Sequence, residues 1–324
     1  MNQVFQSAFA EDLAHMIDLK VSLGFSEQTY LTRAKQFDTF CFQHFPEASE
    51  LTEAIAFTWI KAGYEQMSKI IHTRVSFLRT FGKYLKSVGK TAYLISEQFT
   101  TGRTVFVPYI FDDEELTALF IAIDSFKSKD DTFCPILLSA YFRLTYTCGL
   151  RPAEGRLLKR NEVDLNSGEL RIVNSKYHKS RNIVMSGDMR MLARKYAVLR
   201  DMKFPNSVYF FPSPTGDAYS ARWIQGKFRH CFAISKPDVP KDLLPAVRVY
   251  DLRHRFATAV LHQWLDEKKE LSSRLPYLSA YMGHKELSST EYYIHLLPER
   301  LVKSAGIDWA QINRVIPRAE LWEK

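Results

Sequence analysis

The sequence predicts a mainly α-helical protein with a small antiparallel β-sheet, divided into two domains. Its 324 residues exceed the usual span of one hydrophobic core. Helical periodicity runs through the first hundred residues, and short β-branched runs flank a polar turn in an otherwise helical second half. The apolar fraction of 46% is ordinary for a globular protein and argues against general disorder.

Four helices are predicted within residues 1–98, which form the first domain. The first helix ends at Gly24, and Ser26 is the predicted N-cap of the second, which Pro46 ends. The third covers about residues 51–62 and the fourth about residues 67–88. The apolar face of the first helix contains Phe5, Phe9, Leu13, Met16, Ile17 and Val21.

The fourth helix carries basic residues between its apolar positions. A basic outer face of this kind can bind phosphates, although this helix taken alone favours an ordinary solvated face. The predicted DNA-binding residues of this helix are Lys69, Arg74, Arg79 and Lys83.

Helical patterning lapses over residues 99–110, the predicted linker, and residues 111–324 form the predicted second domain, with a C-terminal tail. The acidic run at 112–115 predicts a helix start, because acids favour the N-terminal end of the helix dipole. Runs at 163–165, 169–174 and 182–185 predict the sheet. The intervening turn at 175–181 holds three predicted functional cations, Lys176, Lys179 and Arg181.

Composition narrows the class of partner. The net charge of +8 favours a polyanion. The four cysteines, Cys41, Cys134, Cys148 and Cys231, are far apart and predict neither a zinc site nor a disulfide framework. No metal-ligand cluster or phosphate-binding glycine loop is present, so we expect no cofactor. Without a signal peptide or a long apolar run, we expect a soluble cytoplasmic protein with no membrane partner.

Four short motifs carry the chemistry: Gly-Leu-Arg-Pro-Ala-Glu at 149–154, Val-Tyr-Asp-Leu-Arg-His-Arg-Phe-Ala-Thr at 249–258, Met-Gly-His at 282–284 and Ser-Ser-Thr-Glu-Tyr-Tyr-Ile-His at 288–295. Tyrosine is a poor nucleophile at neutral pH, since a pKa of about 10 leaves roughly one molecule in a thousand ionised. Attack on a phosphodiester also needs cations at the phosphate oxygens, a task for which guanidinium groups are well suited. The motifs supply two arginines, an imidazole and a tyrosine.

Taken together and in this order, the motifs resemble the signature of the tyrosine recombinases, the phage integrase family. The matching residues are Arg151, Arg253, His284 and Tyr293. The resemblance covers the second domain closely. It implies a helical N-terminal core-binding (SAM-like) domain followed by an α+β tyrosine-recombinase catalytic domain.

The resemblance also implies roles. Arg151 and Arg253 would clamp the scissile phosphate while Tyr293 attacks it, becoming joined to the 3′-phosphate and releasing a 5′-hydroxyl. Lys176 matches a lysine that protonates this leaving oxygen, and Lys179 remains the local alternative. Glu154 matches an acidic position that holds the site in place, with a partner that the sequence does not identify.

The implied partner is double-stranded DNA, bound by a tetramer on synapsed sites in the nucleoid, without metal or ATP. Integration, excision or transposition of a mobile element is the implied role. In the family the C-terminal tail docks on a neighbouring protomer, and packing on its own domain is the alternative. A type IB-like topoisomerase and a catalytically weakened DNA-binding module are the other functions considered.

One position departs from the family pattern. A histidine usually stands three residues before the second arginine, and here that residue is Tyr250. A phenol donates a hydrogen bond to a phosphate oxygen but is a much weaker base than imidazole near pH 7. We therefore predict that Tyr250 belongs to the catalytic set with a reduced rate or an altered pH dependence.

Overall fold

The computed structural model describes residues 5–62, 68–99, 107–128, 131–173 and 180–296. It confirms the predicted fold class, with helices throughout and, in these ranges, one two-stranded antiparallel sheet. The chain divides into two compact units, Met1–Phe106 and Val107–Lys324. Most of the predicted linker, residues 100–106, lies outside the described residues.

The first unit contains the four predicted helices: α1 Ala10–Ser22, α2 Glu27–His44, α3 Glu53–Lys61 and α4 Ser68–Ser87. Aromatic rings fill its core, with Phe37 edge-on to Trp59 at a centroid distance of 5.0 Å. Ser26 occupies the N-cap position of α2 as predicted, but its side chain makes no capping hydrogen bond. Helical periodicity located these elements because each buries one apolar stripe in this core.

The second unit contains eight helices in its described part: α5 Asp113–Asp124, α6 Phe133–Thr147, α7 Pro152–Leu157, α8 Gly187–Lys203, α9 Ala221–Ser235, α10 Val249–Asp266, α11 Leu271–Met282 and α12 Ser288–Glu291. The predicted acidic start of α5 is confirmed. Asp112 accepts a hydrogen bond from the Glu115 amide, and Glu115 accepts one from the Asp112 amide, forming a capping box. Short 3₁₀ helices cover Arg160–Glu162 and Ile294–Leu296.

The sheet pairs β1, Glu169–Ile172, with β2, Arg181–Val184. Val163 makes an isolated antiparallel bridge to Leu170, close to where a preceding strand was predicted. Residues 174–179 of the predicted turn lie outside the described residues. Arg181 was predicted to belong to this turn, but it is the first residue of β2 and pairs with Ile172.

Two buried clusters hold the second unit together. The larger surrounds α6, whose inward side chains include Leu137, Tyr141 and Phe142. The smaller lies between α10 and α11 and includes Tyr293. The functional motifs therefore sit at the ends of well-packed helices. No helix in the described ranges is long and apolar enough to span a membrane.

Candidate active site

The motif at 149–154 forms the connection between α6 and α7. Gly149 has a φ of 57°, a left-handed conformation that suits glycine and turns the chain out of α6. Arg151 is the N-cap of α7, and Pro152 begins that helix with its fixed φ. Glu154, three residues later, accepts hydrogen bonds from the Arg151 amide at 2.9 Å and from its Nη1 at 2.6 Å. The motif therefore holds Arg151 in a defined orientation.

Glu154 is the centre of an ion-pair network. Its carboxylate is 5% exposed and accepts hydrogen bonds from both terminal nitrogens of Arg181, at 2.9 and 2.8 Å. Burial alone would raise the pKa of Glu154, but the hydrogen bonds and charge of Arg181, with help from Arg151, lower that pKa to about 2. Arg181 is thus the partner of Glu154 that the sequence left unnamed.

The predicted DNA-binding role of Arg181 needs correction. Its Nε donates to the Tyr281 carbonyl oxygen at 2.7 Å, so every side of the guanidinium is occupied within the protein. The side chain is also largely buried. It links β2 to α7 and α11 and is not presented to a phosphate.

Arg253 and Arg151 each donate hydrogen bonds to backbone carbonyl oxygens from other segments of the site. Arg253 is 0% exposed, and its Nη1 donates to the Gly149 carbonyl oxygen at 2.6 Å. Its Nη2 donates to the Met282 carbonyl oxygen, also at 2.6 Å. Arg151 Nη2 donates to the carbonyl oxygen of Gly283, which has a φ of 66°. The two glycine turns therefore bring both arginines to one place.

His284 connects Arg253 to α12. Its Nε2 lies 3.1 Å from Arg253 Nη2, and its Nδ1 lies 2.6 Å from Thr290 Oγ1. Because guanidinium only donates, Nε2 must accept, and the network assigns the proton to Nδ1. Burial, followed by the charges of the nearby arginines, lowers the pKa of His284 to about 3. The ring is neutral at neutral pH.

Tyr293 follows α12 and is 2% exposed, whereas its neighbour Tyr292 is 37% exposed. Since α12 ends at Glu291, both tyrosines lie beyond its last residue. The Tyr293 ring lies 6.1 Å from that of His284 and 5.5 Å from that of His254. Burial raises the pKa of Tyr293 to about 12, against the opposing charge of Arg253.

A cavity of about 410 Å³ brings these residues together. Its lining residues are Arg151, Tyr250, His254, His284, Lys285, Glu286, Ser289, Tyr292 and Tyr293. Arg253 is buried behind them, in contact with His284. Arg151 and Tyr250 also line a neighbouring cavity of about 1040 Å³ between α7, β1, α9 and α10. Five of the six predicted catalytic residues thus converge, and the sixth, Lys176, lies outside the described residues.

Comparison with known proteins decides the family. Residues 111–300 match the Phage integrase family. The chain belongs to this family, the tyrosine recombinases.

Relatives of this recombinase extend over most of its length. It is 29% identical over 299 residues to the y4rE protein of Sinorhizobium fredii, whose name describes an integrase/recombinase, covering 90% of this chain and 92% of the relative. It is 27% identical over 291 residues to the tyrosine recombinase XerD of Rickettsia prowazekii, covering 82% and 87%.

Solved structures show the same fold. The XerH recombinase bound to its difH substrate in a post-cleavage complex superposes with a TM-score of 0.64 at 16% identity, covering 87% of this chain and 79% of that one. A lambda integrase tetramer bound to a Holliday junction gives a TM-score of 0.61 at 13% identity, covering 87% and 76%.

The predicted DNA-binding residues of α4 in this recombinase divide into two groups. Arg74 donates to the Trp59 carbonyl oxygen and lies over the Trp59 ring at 5.0 Å. Arg79 donates to the carbonyl oxygens of Ile95, Ser96 and Phe99. Both guanidiniums hold the unit's own backbone, and their DNA-binding role stays a prediction.

Lys83 differs from these two arginines. It is exposed and pairs only loosely with the exposed Glu97, at 3.3 Å. Its position is therefore compatible with phosphate binding. The side chain of Lys69 lies outside the described part of the structure, as do Lys179 and the C-terminal tail.

Sequence reasoning missed the residues that act through others. Thr290 accepts a hydrogen bond from His284 Nδ1, and the glycine carbonyl oxygens accept hydrogen bonds from the arginines. The glycines had a detectable signal, since each follows a helical run, with Gly149 two residues before Arg151 and Gly283 directly before His284. Thr290 had none, because its partner is defined only in three dimensions.

Proposed function

We propose that the protein is a site-specific DNA recombinase that breaks and rejoins strands through a covalent 3′-phosphotyrosine at Tyr293. The observation that carries the proposal is the convergence of Arg151, Arg253, His284 and Tyr293, from well-separated segments, on one small cavity. The names of the relatives, and a solved neighbour bound to a recombination substrate, support it.

Cleavage begins when a phosphodiester enters the cavity. Arg151 and Arg253 balance the charge that grows on the non-bridging oxygens, and the Tyr250 hydroxyl donates to one of them. The Tyr293 oxygen forms a bond to phosphorus as the bond to the 5′-oxygen breaks. Lys176 supplies the proton for that leaving oxygen.

His284 has a supporting role in this scheme. Its only acceptor nitrogen faces Arg253, so in this arrangement it orients the guanidinium and is not available as a base. The protonated Nδ1 donates to the Thr290 hydroxyl, which helps to hold the ring in place.

The buried state of the site implies a movement. Tyr293 and Arg253 are both almost inaccessible, so a phosphate reaches Arg253 only if the segment carrying Tyr293 shifts. That segment, residues 288–296, consists of two short helical turns around Tyr293 and moves at less cost than a long packed helix.

Rejoining reverses the chemistry. The phosphotyrosine conserves the energy of the broken phosphodiester, so a 5′-hydroxyl from a second duplex can reseal the strand without metal or ATP. We propose a tetramer on two synapsed duplexes, with integration, excision or transposition of a mobile element as the outcome. The lambda integrase tetramer bound to a Holliday junction supports this assembly.

DNA contacts beyond the scissile phosphate are proposed on both units. In the second unit, Lys159 and Arg222 are exposed at the larger cavity, beside Arg151. In the first, Lys83 is an exposed cation of α4. Lys69 and Lys179 remain candidates from the sequence.

A nicked suicide substrate tests the proposal. DNA fragments from the regions flanking the encoding gene are incubated with the protein without metal and resolved on a denaturing gel. We expect a covalent protein–DNA band from the wild type and from Tyr292→Phe, and no band from Tyr293→Phe. DNA binding without any covalent band would favour a non-catalytic DNA-binding module.

A further inference from the structure

The nucleophile needs a proton acceptor. With a pKa of about 12, Tyr293 is ionised in roughly one molecule in 100,000 at pH 7, a cost of about 7 kcal/mol. The histidine of the family motif, His284, already accepts a hydrogen bond from Arg253. Glu154 is held by two arginines and does not line the smaller cavity.

His254 has the position that such an acceptor requires. It follows Tyr250 by one helical turn on α10, and the two ring centroids are 5.0 Å apart. Its ring also lies 5.5 Å from that of Tyr293, and it lines the 410 Å³ cavity. It is therefore an imidazole in contact with the rings of both tyrosines.

The hydrogen bonding of His254 is incomplete. Within the described part of the chain, its Nδ1 is buried without a hydrogen-bond partner. A buried polar atom left in this state destabilises the folded protein. Such a cost is explained if the partner arrives only when the site rearranges around DNA.

The charged and titratable groups facing His254 favour its neutral form. Arg248, Arg253 and Tyr250 face it from its own helix, His284 from the segment after α11, and Tyr293 from beyond α12. Burial and the charges of the two arginines lower the pKa of His254 to about 4, so the ring is unprotonated at pH 7. A bound phosphodiester would offset both arginine charges and strengthen the ring as a base.

We propose that His254 accepts the hydroxyl proton of Tyr293 during strand cleavage, an inference that rests on the proposed function. The proton moves from the Tyr293 oxygen to a ring nitrogen of His254 as that oxygen bonds to phosphorus. The bond from phosphorus to the 5′-oxygen breaks, and that oxygen takes its proton from a separate acid. His254 supplies the imidazole that Tyr250 does not.

Single-turnover cleavage of two matched suicide substrates tests this assignment. One carries the ordinary 5′-oxygen at the scissile bond, and the other carries sulfur there, a leaving group that departs without protonation. The variants are His254→Gln and His254→Ala. His230→Gln is the control, since His230 packs against Phe126 away from the site.

We expect both His254 variants to cleave either substrate about 100-fold more slowly than the wild type, because general-base assistance is typically of that size or larger. The wild-type rate should fall at acid pH as His254 becomes protonated, and His254→Gln should lose this limb. His230→Gln should match the wild type. Unchanged circular dichroism of His254→Gln excludes misfolding.

Three results would overturn the inference. If the His254 variants cleaved the sulfur substrate at the wild-type rate, His254 would act in protonating the leaving oxygen and not as the base. An acid limb that persists in His254→Gln would point to another base, such as Glu286 in the same cavity. Wild-type cleavage rates in both His254 variants would show that His254 has no role in cleavage. A wild type that forms no covalent band on any substrate would instead refute the proposed function itself, and the inference with it.

Discussion

Glu154 orients two guanidiniums at once. Its carboxylate holds Arg151 by the capping box of α7 and Arg181 by two parallel hydrogen bonds. Bidentate pairs of this kind fix angle as well as distance. The position of Arg151 at the smaller cavity therefore depends on a residue that does not line that cavity.

Removing the charge of Glu154 should destabilise the second unit. Glu154→Gln leaves two largely buried guanidiniums without a counter-ion, and we expect a loss of about 3 kcal/mol at pH 7. The folded pKa of Glu154 is depressed to about 2 from an ordinary 4.5, so its stabilisation is present above pH 4.5 and disappears as pH falls through 2. Urea unfolding of both proteins between pH 7 and pH 2.5 measures the difference.

The pH trend distinguishes this explanation from a simple packing defect. The difference in free energy of unfolding between wild type and Glu154→Gln should narrow steadily below pH 4.5. A gap that stays constant down to pH 2.5 would show that the charge of Glu154 is not the source of its effect.

Tyr250 offers a second test at the residue scale. Tyr250→His places an imidazole beside the cavity, and we expect the single-turnover cleavage rate to rise by about tenfold or its acid limb to shift, because imidazole is the better base near neutral pH. Tyr250→Phe is the matched control and should lower the rate by removing the phosphate hydrogen bond. A rate and pH profile identical to wild type in Tyr250→His would contradict the expected handicap.

At the scale of elements, turns position the chemistry. Gly149 ends α6 and presents its carbonyl oxygen to Arg253, while Gly283 ends α11 and presents its own to Arg151. Both have positive φ and no room for a side chain. Each arginine is thus held by the end of a helix to which it does not belong.

Gly149→Ala should damage both stability and cleavage. A Cβ at this position would lie 2.4 Å from the Phe256 ring, and the positive φ adds strain, so we expect a loss of about 2–4 kcal/mol. Gly226→Ala, in the interior of α9 with no atom within 4 Å of the new Cβ, should stabilise the protein by up to about 1 kcal/mol. Thermal unfolding measures both variants, and equal effects would refute this reasoning.

Two cations of α4, Arg79 and Lys83, should differ in what their loss affects: protein stability for Arg79 and DNA binding for Lys83. Arg79→Ala removes hydrogen bonds to three backbone carbonyls and should destabilise the first unit by about 1–3 kcal/mol. Lys83→Ala should leave stability within about 0.5 kcal/mol. It should weaken DNA binding and reduce the salt dependence of that binding by about one counterion. Denaturant unfolding and a salt titration of DNA affinity check both; destabilisation by Lys83→Ala would reverse the assignment.

The sequence located most elements because their signals are local. The apolar stripe of α1 and the acidic start of α5 each lie within a few adjacent turns. The pairing of Arg181 with Glu154 has no such signal, because it joins a strand to a helix across 27 residues of chain. The contact of Arg74 with Trp59 could not be predicted for the same reason, since a basic helix face has the same sequence pattern whether its guanidiniums face solvent or a carbonyl oxygen.

For the whole molecule, the cores are separate. The buried cluster of the first unit contains only residues before 100, and the clusters of the second contain only residues after 107. In the described residues, each unit therefore has a buried core of its own, as a folding domain does.

Fragments of the chain should accordingly fold on their own. We expect residues 1–106 and residues 107–324, produced separately, each to show helical circular dichroism and a cooperative thermal transition. The second fragment should bind DNA more weakly than the whole chain, since it lacks the cations of α4. The absence of a cooperative transition in either fragment would show that the cores depend on each other.

The burial of Tyr293 has a consequence for the genome that carries this protein. A recombinase meets far more random DNA than target DNA, and an exposed nucleophile would risk a nick at every encounter. While Tyr293 is buried, each 1.4 kcal/mol or so of free energy needed to expose it makes the exposed, reactive state about tenfold less populated. Only DNA that binds the state with Tyr293 exposed more tightly offsets this free energy. Under the proposed mechanism, the folded protein itself therefore limits accidental strand breakage before any base is recognised.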